Sequence, residues 1–230
     1  MAMNYIIDTA NIEEIKRCVE FFPVDGVTTN PTIISKEHDT NFAELLQKIR
    51  DVIGPDRMFH VQVTGSSADT IIKEAELLNK FIGGNFYAKI PISEQGLKAT
   101  MELKKRGIKV TETAIFTQQQ AMIAANAGAD YVAPYVNRLD NIVSDGVNVV
   151  SEIVQMFSYH DIGCKVLAAS FKTVEQIHKI AMVGCHAVTI NPELFDTLIY
   201  HPMTLYAIDD FNADWESVYG KAKIIDMFSK

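Results

Sequence analysis

Cysteine and positive charge are scarce in this chain, and long hydrophobic runs are missing from it. Its 230 residues include three cysteines, and 21 Lys and Arg stand against 29 Asp and Glu, which gives a formal net charge of −8. Cys18, Cys164 and Cys185 are widely spaced and odd in number, which argues against a disulfide framework or a metal knuckle and predicts buried thiols. A nucleic-acid partner favours a basic surface, and the acidic balance argues against one.

Two further absences bear on location and organisation. The sequence has no stretch of about 18 or more apolar residues to span a bilayer, and its first residues lack the basic segment and apolar core of a signal peptide. We therefore expect no membrane partner and a cytoplasmic location. No Ser/Gly-rich linker or shift in composition divides the chain, which predicts a single domain over residues 1–230.

Short apolar runs rich in β-branched residues alternate with longer amphipathic segments. Asn11 followed by Glu14 is typical of a helix start, and Gly107, Gly128 and Gly184 stand where helices are expected to end. Eight alternations predict a parallel sheet closed into a single (β/α)8 barrel, the TIM-barrel fold; an open, doubly wound sheet is the alternative. The predicted strands are Tyr5–Ile7, Gly26–Thr28, Phe59–Val63, Phe86–Ile90, Ile108–Thr111, Tyr131–Ala133, Lys165–Ala169 and Ala187–Ile190.

A polar residue stands at the end of each predicted strand. In a (β/α)8 barrel the carboxyl ends of the strands and the loops after them form the active site, so these residues are expected to converge. Polar groups from all eight strand ends at one mouth are hard to explain by packing. In strand order they are Asp8, Thr28 with Asn30, Gln62, Lys89, Thr113, Tyr135 with Arg138, Ser170, and Asn191.

Lys89 is the most informative of these residues because it lies inside an apolar strand, between Ala88 and Ile90. Lysine is almost never fully buried unless it is paired. Burial makes an amine give up its proton more readily, and a neutral amine attacks carbonyls, so Lys89 is a candidate Schiff-base nucleophile. The alternatives are an ion pair with Asp8 and a point charge that holds a phosphate.

Tyr135 and Thr113 carry hydroxyls able to pass a proton, directly or through a water, while a carbon–carbon bond breaks. The alternatives are a tyrosine with a solvated hydroxyl and a threonine that caps the next helix. The spacing of these residues alone does not distinguish either alternative from a catalytic role.

Arg138 suits bidentate phosphate binding, with help from the Ser170 hydroxyl and from Lys172. A surface ion pair with Asp140 is the other interpretation of Arg138. Asn30 precedes a proline and is also typical of a turn.

Metal and nucleotide sites have no signature here. The six histidines share no HxH or HExxH spacing, and neither a GxGxxG segment nor a P-loop is present. We therefore expect no metal and no cofactor, which leaves an amine mechanism. His60 has the strand parity of Gln62 and either points into the barrel or is an ordinary core histidine.

Five segments resemble the transaldolase family, most closely its short-chain branch, which includes the fructose-6-phosphate aldolases. The resemblance runs in order from about Met3 to Gly220. The segments are Asp8–Asn11, Gly26–Pro31, Ala88–Pro91, Ala133–Arg138 and Ala168–Lys172.

The resemblance implies a (β/α)8 barrel with Lys89 as the Schiff-base lysine. Transaldolases of this branch usually have Glu in place of Gln62 and Phe in place of Tyr135, so both residues resemble the aldolase form. Tyr135 would then be the acid–base group, with Gln62 and Thr113 orienting a water. Glu112 stands where the aldolases have a small residue, and it is expected either to alter the pocket or to point outward. The family's active-site positions fall on Asp8, Asn30, Gln62, Lys89, Thr113, Tyr135, Arg138 and Ser170.

The activity implied is that of a class I aldolase that cleaves fructose 6-phosphate to dihydroxyacetone and glyceraldehyde 3-phosphate. The alternatives are a transaldolase, and a barrel that binds sugar phosphates without catalysis and keeps its lysine ion-paired. Pro202 is expected to start a C-terminal helix that runs to Gly220, before the apolar tail Ile224–Phe228. In the family this helix packs on a neighbouring subunit of a pentamer or decamer, so a homo-oligomer is expected; packing on its own barrel is the alternative.

Overall fold

Eight parallel strands close into a barrel in the order β1 to β8 in the computed structural model, which describes residues 2–38 and 41–228. This confirms the (β/α)8 prediction and excludes the open sheet. The strands are β1 (Asn4–Asp8), β2 (Gly26–Thr28), β3 (Met58–Gln62), β4 (Phe86–Pro91), β5 (Val110–Ile115), β6 (Tyr131–Pro134), β7 (Lys165–Ala168) and β8 (Ala187–Ile190).

Helices separate the strands and are closed by the predicted signals. The Asn11 side chain accepts a hydrogen bond from the Glu14 amide at 3.1 Å, and Gly128 ends a later helix with a φ of +97°. The helices are α1 (Ile12–Phe21), α2 (Pro31–Ile34), α3 (Phe42–Ile53), α4 (Ala68–Ile82), α5 (Glu94–Lys105), α6 (Gln118–Asn126), α7 (Val136–Asp140), α8 (Gly146–Tyr159), α9 (Val174–Met182), α10 (Pro192–Ile199), α11 (Pro202–Tyr219) and α12 (Ile224–Phe228).

The predicted bounds of the fifth strand were wrong. Gly107 has a φ of +74°, and the amide of Ile108 donates back to the carbonyl of Leu103 in α5 at 3.1 Å. Ile108 therefore completes the end of that helix and does not enter the sheet. The strand begins later and extends to Ile115, so Thr113 lies within β5 and does not follow it.

Apolar side chains fill the barrel below its mouth. A buried cluster joins Met58, Tyr87 and Tyr131 with Ile6, Leu167 and Ala187. The three cysteines are buried as free thiols, as predicted. This packed floor leaves the carboxyl ends of the strands as the place where polar groups meet a cavity.

The chain divides into a unit that ends at Phe195 and a second unit that begins at Asp196. In the second unit α11 starts at Pro202, as predicted, and Gly220 closes it with a φ of +61°. The Trp215 indole donates to the carbonyl of Ala222 at 2.8 Å, which ties α11 to the segment before α12. Within the described residues no helix combines the length and apolar character that crossing a bilayer requires.

Candidate active site

A cavity of about 300 Å³ opens at the carboxyl ends of the strands. Of the polar residues predicted from sequence to converge here, all line it except Thr28, Gln62 and Thr113. The size suits a small ligand. The lining consists of Asp8, Asn30, Thr32, Ile33, Lys36, Lys89, Tyr135, Arg138, Ala169, Ser170, Phe171, Lys172, Thr189 and Asn191.

Lys89 reaches this cavity from inside β4 and is only 3% exposed. Its Nζ donates to the Thr29 carbonyl at 3.2 Å, and the Thr29 amide donates in turn to the His60 carbonyl at 2.9 Å. Within residues 2–38 and 41–228 the amine forms no ion pair with a carboxylate. The lysine is therefore fixed by a backbone carbonyl and not by a carboxylate.

Asp8 at the end of β1 is near enough to Lys89 for their charges to interact. Burial raises the pKa of the Asp8 carboxyl, and the charge of Lys89, a hydrogen bond from Thr28 and the charge of Lys36 oppose that rise. The Thr28 hydroxyl donates to Asp8 Oδ1 at 2.7 Å, which fixes the carboxyl at the mouth of the barrel. Asp8 can thus orient the lysine or a ligand hydroxyl while remaining partly desolvated.

Tyr135 and Thr113 come together as the sequence predicted. The tyrosine hydroxyl lies 3.3 Å from Thr113 Oγ1, and Thr113 is buried within β5. The ring of Phe116 meets the Tyr135 ring edge-on at 5.5 Å between centroids and fixes its plane. The pair can relay a proton between the cavity and the strand end.

Arg138 does not form the surface ion pair with Asp140 that was the alternative. The Asp140 carboxylate instead accepts from the Gly146 amide at 2.9 Å and from the Gln176 amide nitrogen at 2.6 Å. The Arg138 guanidinium lies 4.5 Å from the centre of the Tyr135 ring, a cation–π contact at the edge of the cavity. No residue within 2–38 and 41–228 accepts a hydrogen bond from the guanidinium, so its donors can bind an anion.

Ser170 and Lys172 line the same side of the cavity, in the loop after β7. Ser170 has a φ of +64°, a left-handed conformation that is unfavourable for a residue with a Cβ. Its carbonyl accepts from the Asn137 amide at 2.8 Å, so α7 and this loop are joined beside the cavity. Backbone strain of this kind often accompanies functional sites.

Asn30 has two roles. Its Oδ1 accepts from the Ile33 amide at 3.0 Å and caps α2, so the turn interpretation is correct, and it also lines the cavity. Gln62 ends β3 directly beside Lys89 in the register of the sheet, although it lies outside the cavity lining.

Glu112 points outward, so of the two alternatives left by the sequence, an altered pocket and an outward side chain, the second is correct. Its Oε1 accepts from the Thr100 hydroxyl of α5 at 2.6 Å, and the side chain is fully buried between the sheet and that helix. Burial raises its pKa to about 7, against the hydrogen bond from Thr100. Glu112 therefore does not alter the shape of the cavity directly.

His60 is a core histidine beneath the site. Its Nδ1 lies 2.8 Å from the Thr111 hydroxyl, and its ring stacks on Tyr87 with centroids 4.4 Å apart. Burial, followed by the charge of Lys89, lowers its pKa to about 3. It is a neutral part of the barrel core. No group of three or more His, Cys, Asp or Glu side chains within the described ranges is placed to hold a metal ion.

Lys36 and Thr189 were missed by sequence reasoning. Lys36 follows α2 and lines the cavity close to Asp8, and Thr189 reaches it from β8 beside Thr28. The only sequence signal for Lys36 was its place in the segment after Asn30. Thr189 had no such signal, because the sequence of a short β-strand does not show which of its residues faces inward at the mouth.

Similarity to known proteins agrees with this architecture. A model of the family described as Transaldolase/Fructose-6-phosphate aldolase matches residues 5–225. A Streptococcus pneumoniae protein named probable fructose-6-phosphate aldolase is 38% identical over 213 residues, which are 93% of this chain and 96% of that protein. A Streptococcus pyogenes protein named probable transaldolase is also 38% identical, over 215 residues that cover 94% of this chain and 99% of that protein.

Two solved structures share the fold alone. One is described as a native KDPGal structure, with a TM-score of 0.59 and 13% identity over 88% of this chain and 85% of the other. The second is a mandelate oxidase mutant with a monooxide FMN adduct, with a TM-score of 0.56 and 12% identity over 84% of this chain and 64% of the other. At such identities they support the barrel and nothing about its chemistry.

Proposed function

The chain belongs to the transaldolase/fructose-6-phosphate aldolase family, and we propose that it is a class I aldolase that reversibly cleaves fructose 6-phosphate to dihydroxyacetone and glyceraldehyde 3-phosphate. One observation carries the proposal. The Lys89 amine is buried at the cavity and bonded to a backbone carbonyl, with no carboxylate ion pair in the part of the chain that the structure describes. This arrangement suits a nucleophile better than a structural cation.

The reaction begins when the neutral Lys89 amine attacks C2 of the ketose and water is lost to give an iminium ion. Tyr135, through a water, takes the proton of the C4 hydroxyl as the C3–C4 bond breaks. The bonding electrons pass to the iminium, which becomes an enamine, and glyceraldehyde 3-phosphate leaves. Protonation of the enamine at C3 and hydrolysis of the resulting iminium release dihydroxyacetone and restore the amine.

The remaining residues hold the substrate in this pose. Arg138 and Ser170, with Lys172, line the cavity and bind the phosphate. Asp8 and Asn30 bind the hydroxyls at the ketose end and orient Lys89. Gln62 and Thr113 orient the water that carries the proton to Tyr135.

Transaldolase activity is the second candidate, because similarly close relatives carry both names. A transaldolase passes the enamine to an acceptor such as erythrose 4-phosphate and does not release free dihydroxyacetone. The Tyr135 hydroxyl, 3.3 Å from the Thr113 hydroxyl, favours the aldolase because it supplies the proton relay that release requires.

The test compares dihydroxyacetone release from fructose 6-phosphate with transfer to erythrose 4-phosphate. We expect release without the acceptor, and Tyr135→Phe should suppress release more than transfer. Tyr159→Phe, at an exposed tyrosine, is the matched control and should change neither. Equal loss of both activities in Tyr135→Phe contradicts the role given to this hydroxyl, and binding of sugar phosphate with no turnover by the wild type favours a non-catalytic barrel.

We also propose a cytoplasmic homo-oligomer, a pentamer or decamer, in which α11 packs on a neighbouring subunit. The side chains of Leu205, Ile208 and Phe211 on this helix are exposed in the single chain, which supports a covered surface in the assembly. No metal or cofactor enters the proposed cycle.

A further inference from the structure

Two separate elements supply the proposed phosphate site. A backbone hydrogen bond from the Asn137 amide to the Ser170 carbonyl joins them, and one side chain contacts both. Arg138 comes from α7, whereas Ser170 and Lys172 come from the loop between β7 and α9. A phosphate bound by both needs the two elements at a fixed spacing, because misplacement by about 1 Å weakens such a clamp substantially. The groups between them therefore bear on affinity even where they do not touch the ligand.

Gln176 in α9 contacts both elements at once. Its Oε1 accepts from the amides of Lys172 and Thr173, at 2.8 and 3.3 Å. Its Nε2 donates to Asn137 Oδ1 at 3.3 Å and to Asp140 Oδ2 at 2.6 Å. All the hydrogen-bonding directions of this amide are thus used, two toward the loop and two toward the helix that carries Arg138.

The Asp140 end of this bridge is itself anchored. Its other carboxylate oxygen accepts from the Gly146 amide at the start of α8. The carboxylate that would compete for Arg138 is therefore occupied by two donors. This leaves the guanidinium on the Tyr135 ring at the cavity edge.

Gln120 provides an internal comparison. It caps the N-terminal end of α6 with the same capping box that Gln176 forms at the start of α9. Its Oε1 accepts from the amides of Phe116 and Thr117 at 2.8 and 3.2 Å. Its Nε2 has no partner among the residues that the structure describes. Capping alone therefore does not account for the two donors that Gln176 directs at α7.

We propose that Gln176 is a positioning residue for phosphate recognition, which holds Arg138 and the Ser170–Lys172 loop at the spacing that a sugar phosphate requires. The inference rests on the proposed function for the identity of the ligand. It predicts that the bridge affects the binding of the phosphorylated end of the substrate and leaves the chemistry at Lys89 unchanged.

Gln176→Glu removes the donor side of the bridge and adds one negative charge there, while the carboxylate still accepts from the two loop amides and serves well in a capping box. It cannot donate to Asp140, and the two carboxylates repel each other. The double variant Gln176→Glu with Asp140→Asn exchanges amide and carboxylate and restores one donor and one acceptor across the gap. Asn137 is able to rotate its amide and follow either change.

The first readout is the binding of glucitol 6-phosphate, measured by titration calorimetry. This polyol phosphate has no carbonyl and so binds without forming a Schiff base. We expect roughly fivefold weaker binding by Gln176→Glu, because the elements that carry Arg138 and Ser170 are no longer held at the spacing that the phosphate requires. The double variant should recover most of the affinity, and Gln120→Glu should bind as the wild type does.

The second readout measures KM and kcat separately in the direction of aldol addition, with dihydroxyacetone as donor and either glyceraldehyde 3-phosphate or glyceraldehyde as acceptor. Gln176→Glu should raise KM for the phosphorylated acceptor by a similar factor and leave the unphosphorylated reaction unchanged. Wild-type affinity for glucitol 6-phosphate in Gln176→Glu, or a loss that the double variant does not restore, overturns the proposal. The proposed function fails separately if the wild type binds this probe but releases no dihydroxyacetone from fructose 6-phosphate.

Discussion

At the residue scale, two buried ionisable side chains near the site, His60 and Glu112, take no part in the proposed chemistry. His60 is held neutral with a pKa lowered to about 3, and Glu112 has a pKa raised to about 7, in both cases because burial penalises the charged form. For His60 the folded state binds fewer protons than the unfolded chain, so stability falls as the pH drops from about 6.5 toward 3. For Glu112 the sign is opposite.

Glu112→Gln should make the protein more stable at alkaline pH. The unfolded carboxyl ionises near its ordinary pKa of 4.5 while the folded one keeps its proton to about 7, so wild-type stability falls as the pH rises through that window. The difference corresponds to about 3 kcal/mol in the free energy of unfolding. Urea denaturation at about pH 4 and about pH 8 measures it, and nearly all of the gain in the variant should appear at the higher pH.

Glu20→Gln, at an exposed glutamate, is the matched control and should show no such pH-dependent gain. A Glu112→Gln variant with the same pH dependence as the wild type would contradict the burial of an ionisable carboxyl at this position.

The sequence predicted those site residues that lie near the end of a strand or in the loop after it. Asp8, Lys89 and Ser170 were found because a parallel barrel brings such positions to one mouth. The outward direction of Glu112 and the stacking of Arg138 on Tyr135 depend on helices packed from elsewhere in the chain. No local pattern in the sequence contains that information.

Strand β5 is the element whose geometry departs most from regularity. Its register with β6 shifts between Thr113 and Ile115, and Ala114 between them has a φ of +58°. The irregularity directs Thr113 toward Tyr135 while Ile115 returns to the buried layer. A backbone conformation that is unfavourable for alanine is thus part of how the hydroxyl pair is assembled.

Ala114→Gly should leave the protein as stable as the wild type or more stable by up to about 1 kcal/mol, since glycine adopts positive φ without steric cost. Ala125→Gly, in the last turn of α6, is the comparison and should lose up to about 1 kcal/mol. Thermal or urea unfolding of both variants measures the difference. A loss of about 1 kcal/mol in Ala114→Gly as well would show that the left-handed conformation is not retained in solution.

Helix ends were predictable where a side chain or a glycine closes them, as at Asn11 and Gly128. The start of β5 was not predictable. Ile108 is apolar and β-branched, which is typical of a strand, but its amide completes the end of α5. The shift in β5 carries no sequence signal either, since Ala114 is a residue that favours negative φ.

The closed barrel was predictable at the scale of the whole molecule because eight alternations of strand and helix leave few topologies open. The assembly was not, since an apolar C-terminal helix fits either its own barrel or a neighbour. We expect light scattering to give the mass of a pentamer or decamer. Leu205→Glu with Phe211→Glu on α11 should reduce that mass, and a monomeric wild type would contradict the proposed assembly.

Borohydride reduction in the presence of dihydroxyacetone, followed by intact mass measurement and peptide mapping, tests the Schiff-base role of Lys89 most directly. We expect one reduced adduct per chain, located on Lys89. It should be absent in Lys89→Met and retained in Lys98→Met, a control at an exposed lysine. An unchanged mass, or an adduct on a different lysine, would contradict the assignment of Lys89 as the Schiff-base nucleophile.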